Sequence, residues 1–178
     1  MQSRTPADLE LKLYPDGGAN TSQILDDLNL ITSELEDDDY LVVISGTNDL
    51  RFNDKGECLH SSLHLEDRRN LISQARHTNV LILGAPHRYN RPQANVCIDA
   101  YNKQLEEFIC KEKEKLQLPQ RIRFLQLSEH LDTSNYTTSG LHLNSLGKEK
   151  MASLITEMLD EFGVDESALV LEDMGFVN

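Results

Sequence analysis

The chain has 178 residues, 39% of them hydrophobic and none tryptophan, with 30 acidic side chains against 17 basic ones and a net charge of −13. This length suits one domain, and so acidic a surface repels phosphate backbones, which argues against nucleic-acid binding. No apolar run approaches the roughly 20 residues needed to cross a bilayer, so no membrane partner is expected, and Met1 to Pro6 lacks the apolar core of a signal peptide. Cys58, Cys97 and Cys110 are odd in number and fit no CxxC spacing. They read as reduced thiols in a cytoplasmic or nuclear protein.

Leu9, Leu11 and Leu13 alternate with polar residues, which predicts a strand over 9–14, ended by Pro15-Asp16-Gly17-Gly18. Asn20 is placed to cap a helix, with Gln23 in the capping-box position. Ile24, Leu28, Ile31 and Leu35 then form one helical stripe. Tyr40-Leu41-Val42-Val43-Ile44 is a short β-branched run and predicts a buried strand, and residues 50–62 read as a loop. A helix is predicted over about 65–77, with Leu71, Ile72 and Ala75 inward. Val80 to Leu83 predicts a strand apolar on both faces. A long helix follows over about 94–116, with Ile98, Tyr101, Leu105, Phe108 and Leu116 on its buried stripe. Ile122 to Leu127 gives a last strand, 128–143 a loop, and Asn144 caps a helix bearing Met151, Leu154, Met158 and Phe162.

The order β-α-β-α-β-α-β-α predicts a parallel sheet between helices, with right-handed crossovers. The domain is expected over 1–163, followed by an acidic C-terminal tail over 164–178 that reads as a frayed end or a short docking peptide.

In such a sheet the loops at the strand carboxyl ends share one edge. That edge collects Asp16 to Asn20, Gly46-Thr47-Asn48-Asp49, Pro86-His87-Arg88 and the loop ending at His142. A glycine amide and an asparagine amide can hold a developing oxyanion, and a histidine can move the proton, so the group points to acyl transfer. Asp49 reads as a brace for the Asn48 turn. His87, Arg88 and Arg91 form either a local anion site or an ordinary solvated loop. His60, His64, His77 and His130 show no metal-ligand spacing.

Tyr40 to Leu50 and Gly140-Leu141-His142-Leu143-Asn144 resemble two blocks of the SGNH, or GDSL-like, hydrolases, and Pro15 to Ala19 resembles their glycine block. The resemblance spans about residues 9–160. It implies a three-layer α/β/α flavodoxin-like fold, ester hydrolysis through an acyl-enzyme, a small acyl-ester substrate and no cofactor. It maps the family's oxyanion asparagine to Asn48, its histidine to His142 and its glycine to Gly18.

Two departures bear on this. The family's Gly-Asp-Ser turn follows a central first strand that should precede residue 9, and the chain contains no such triplet. The nucleophilic serine is therefore expected to be absent, with Ser22, Ser45 and Ser139 as weak substitutes. The aspartate three residues before the histidine is Ser139 here, leaving Asp132 or a main-chain carbonyl to orient the imidazole. The combination resembles esterase-like domains of some mobile-element proteins. Without its central strand the sheet must close up, borrow a strand from another chain, or belong to a longer protein. The sequence thus leaves a weak or inactive esterase-like domain, a non-catalytic interaction module with a protein partner, and, third, a nucleotide-binding flavodoxin-like protein, against which stands that Asp16 to Asn20 is no phosphate-cradling Gly-rich loop.

Overall fold

The structure is a computed structural model and describes residues 18–55, 57–61, 63–117, 121–160 and 162. The expected strand at 9–14 and the tail at 164–178 lie outside them. The elements are α1 (Thr21–Ile31), β1 (Tyr40–Ile44), β2 (Leu50–Phe52), β3 (Cys58–Ser61), α2 (Leu65–Gln74), β4 (Asn79–Leu83), α3 (Asn95–Leu116), β5 (Ile122–Leu125) and α4 (Ser145–Asp160). Strands β1, β4 and β5 form a parallel sheet in the order β1-β4-β5, with Leu41 opposite Val80 and Val80 opposite Ile122.

Alternation along the strands divides the interior into two cores. Leu41, Val43, Val80 and Ile82 face one way, against Leu25 and Leu28 of α1, Leu71 and Ile72 of α2, and Ile98 and Leu105 of α3. Leu81, Leu83 and Leu125 face the other way, against Met151, Ile155 and Leu159 of α4. The result is a three-layer α/β/α fold. Both faces of β4 are covered, which is why its sequence is an unbroken apolar run.

The helix termini follow their sequence signals. Asn20 accepts from the Gln23 N–H while the Gln23 side chain accepts from the Asn20 N–H, a complete capping box. Asn144 accepts the Gly147 N–H, and its Nδ2 donates to the Ser134 and Tyr136 carbonyls, so one side chain caps α4 and ties down the preceding loop. Beyond α4, Phe162 packs on Tyr40 at the start of β1 and lies under the Arg123 guanidinium.

Two expectations need correction. Residues 50–62 are not one loop: β2 and β3 pair antiparallel, joined by a turn in which the Asn53 carboxamide oxygen accepts from the Lys55 and Glu57 N–H groups. The strands are too short and too polar to show an alternating pattern, although Asn53-Asp54-Lys55-Gly56 carries the turn chemistry. Nor are all three cysteines free. Cys58 on the hairpin is bonded to Cys97 in the first turn of α3, with their Cα atoms 6.0 Å apart, and only Cys110 is free. Among the described residues no helix is long and apolar enough to cross a membrane.

Candidate active site

Because β1, β4 and β5 are parallel, their carboxyl ends open onto one edge. The first loop there is the sharp turn after β1. Gly46 holds φ +117°, and a Cβ on it would come within 2.7 Å of the Tyr101 hydroxyl, so this position requires glycine. The turn leaves Asn48 exposed and drives Asp49 into the interior.

Asn48 donates its Nδ2–H to the Ala19 carbonyl at 2.9 Å. Gly18, which precedes Ala19 in the chain, holds φ +90° and is exposed. Asn48 therefore touches the glycine loop at Ala19. One Nδ2 hydrogen is committed to Ala19; the other has no protein acceptor among the described residues.

Asp49 is the brace that its position suggests, through partners that were not foreseen. Its carboxylate accepts from the Thr21 N–H at 2.9 Å, from the Thr21 hydroxyl by a short bond, and from the Tyr101 hydroxyl at 3.4 Å. His64 Nε2 lies 3.3 Å away. Beneath the turn sits Arg68, 1% exposed. Its Nη2 donates to the Thr21, Ser45 and Tyr101 hydroxyls at 3.2, 3.0 and 2.9 Å, and its Nε donates to the Leu63 carbonyl. A cation and a carboxylate are thus buried together and joined through hydroxyls, which offsets part of the desolvation of both, while Nη1 of Arg68 is buried without a hydrogen-bond partner among the described residues. Burial raises the pKa of Tyr101, and the neighbouring Arg68 opposes that rise.

His142 is exposed on the loop after β5. Gly140, two residues earlier, fixes this loop by accepting from the Tyr89 and Asn90 N–H groups at 2.8 and 3.1 Å, and Thr137 donates to the His142 carbonyl. Gly140 holds φ +65°, and a Cβ there would meet the Asn90 nitrogen at 2.7 Å. The loops after β4 and β5 are therefore locked together. The imidazole itself has no carboxylate partner among the described residues. Asp132, the suggested substitute, instead accepts from the Ser134 N–H and hydroxyl, and those bonds hold its carboxyl below the usual range.

The serines do not complete a triad. Ser45 is buried and accepts from Arg68, Ser139 pairs with the Thr137 hydroxyl, and no serine hydroxyl bonds to His142 among the described residues. His87 is engaged by Asp99 at 2.7 Å. Among the described residues no cluster of His, Cys, Asp or Glu is arranged to hold a metal. Two open surface concavities of about 580 and 600 Å³ lie along α3 near Cys110 and Glu114, away from the strand carboxyl ends.

No protein-family model matches the sequence, and no curated protein matches it. Solved structures do match. A family 3 carbohydrate esterase from Clostridium thermocellum superposes with a TM-score of 0.57 at 21% identity, over 82% of this chain and 68% of that one. A putative acylhydrolase from Bacteroides fragilis gives the same TM-score and identity, over 82% of this chain and 72% of that one. The chain shares the α/β/α fold of these two proteins. At this identity the likeness concerns the fold, and the chemistry has to be argued from the residues.

Arg68, Thr21 and the Tyr101 hydroxyl were not anticipated as parts of this edge. Asp67-Arg68-Arg69-Asn70 looks like a solvated face. Position 68 nevertheless lies three and four residues before the inward Leu71 and Ile72, and that spacing places Arg68 on the same buried side.

Proposed function

We propose that the chain is an SGNH-type acyl-ester hydrolase domain that keeps the asparagine and histidine positions without the Gly-Asp-Ser nucleophile. It would bind small acyl esters at the sheet edge and turn them over weakly by itself. Asn48 with Gly18 would supply the oxyanion donors, and His142 would be the base for a nucleophile brought by an upstream segment or by a partner. No cofactor is required by this chemistry.

The observation that carries the reading is the contact of the Asn48 carboxamide with Ala19, next in the chain to Gly18, with one amide hydrogen lacking an acceptor among the described residues at the edge that the β5–α4 loop also borders. A non-catalytic interaction module is the second reading, and it is favoured by the His142 imidazole having no carboxylate partner among the described residues. A neutral imidazole with no orienting carboxylate is a poor general base.

An activated aryl acetate assayed with the wild type, His142→Ala and Asn48→Ala separates the two. The hydrolase reading expects a low rate that both variants reduce to the buffer rate. Equal, buffer-level rates for all three proteins would eliminate it in favour of the interaction module. A cytoplasmic or nuclear location was inferred from unpaired thiols, and it loses that support with Cys58 and Cys97 bonded.

A further inference from the structure

One group at this edge has no role in the chemistry above. Arg88 follows β4 and is held from both sides. Its N–H donates to the Asn95 side chain at 2.8 Å, and the next two N–H groups donate to Gly140 of the His142 loop. Its guanidinium carbon lies 5.9 Å from the centre of the Phe52 ring, on the hairpin that begins directly after Asn48 and Asp49. Arg88 thus stands between the segment bearing Asn48 and the loop bearing His142.

Arg88 is half-buried, its Nε is buried without a hydrogen-bond partner, and no carboxylate pairs with it among the described residues. Burial, and then the like charge of Arg91, hold its pKa below the ordinary arginine value, yet a guanidinium remains charged at any physiological pH. Arg91 is exposed and also unpaired among the described residues. His87 is occupied by Asp99, and α3 has no acidic residue in its first turn to offset its positive end. Arg88 and Arg91 are thus two neighbouring cations with no acidic partner among the described residues.

We propose that Arg88, assisted by Arg91, is an oxoanion-recognition element at the carboxyl edge of the sheet, so that the preferred ligand is an ester carrying a second, negatively charged carboxylate or phosphate. The terminal guanidinium nitrogens present a planar fork that such a group accepts from bidentately, in a setting where Phe52 and the adjoining loops displace water. The identity of the ligand as an ester rests on the hydrolase reading, whereas the anion preference does not.

The test uses the full chain and titration calorimetry with monomethyl succinate, dimethyl succinate and inorganic phosphate. The expected result is monomethyl succinate binding at least about tenfold tighter than its neutral diester, with a preference that falls as salt is added. Arg88→Gln should remove the preference, and Arg88→Lys should restore part of it. Competition by phosphate would identify a site for either oxoanion, and its absence a carboxylate site. Arg91→Gln alters only an exposed side chain and should reduce the preference by about threefold, which keeps the test decisive should Arg88→Gln fail to fold. Equal affinities for the two esters, no binding of either, or a preference untouched by both variants would overturn the proposal. A lasting preference without turnover would remove the hydrolase reading and keep the anion site; turnover indifferent to charge would do the reverse.

Discussion

The Tyr136 hydroxyl is buried with no hydrogen-bond partner among the described residues, while its ring packs edge-on against Tyr89 with centroids 4.8 Å apart. The ring is therefore stabilising and the hydroxyl is not. Tyr136→Phe should raise stability by about 1 kcal/mol, read as a shift of the urea midpoint at unchanged slope. Arg68 is the opposite case, because four acceptors depend on it. Arg68→Met should cost about 3 kcal/mol, since it leaves Asp49 buried with its countercharge gone. Combined with Asp49→Asn, the loss should be smaller than the sum of the single losses, and a double-mutant cycle by denaturation measures this coupling. These two side chains also show where residue-level reading stops. The brace role of Asp49 was legible from the Gly-x-Asn-Asp turn. Its companions Thr21, Arg68 and Tyr101 come from three different helices, and no local pattern records that they meet.

At the level of elements, the signals that survived are those written into single segments. The Asn20–Gln23 capping box, the apolar run of β4 and the 22-residue amphipathic α3 each carry enough local information to be placed within a residue or two. The hairpin was missed because β2 has only three residues and β3 only four, and its stability comes from elsewhere in the chain. The Cys58–Cys97 bond ties β3 to α3 across a sequence separation of 39. Closing a loop of that length should contribute about 3–4 kcal/mol by limiting the unfolded chain. Cys97→Ser should lower the thermal midpoint accordingly, and reductant should lower that of the wild type but not of the variant. A thiol titration of the denatured, unreduced protein should find one reactive sulfur, Cys110, instead of three.

Across the whole molecule, Tyr40, Tyr89, Tyr101 and Tyr136 all have pKa values raised above 10.0, in each case chiefly by burial. The folded state therefore holds these protons more tightly than the unfolded chain does. Their contribution is intact below pH 10 and is lost as pH climbs beyond it. Denaturant midpoints should be level up to about pH 9 and fall steeply past 10, and phenolate absorbance should appear together with unfolding. The layered α/β/α plan was legible from the alternation of elements, because a parallel sheet flanked by helices is the main way to bury such a series. The meeting of the Arg88 segment with both neighbouring loops was not, since it depends on the Gly140 carbonyl and on an aromatic ring in the unforeseen hairpin. The seat of Phe162 on Tyr40, under Arg123, has its own consequence for biosynthesis. The second core is roofed by α4, which a ribosome delivers after every strand of the parallel sheet. A nascent polypeptide would carry that greasy surface uncovered until its closing helix cleared the exit tunnel, a window in which chaperones would find it.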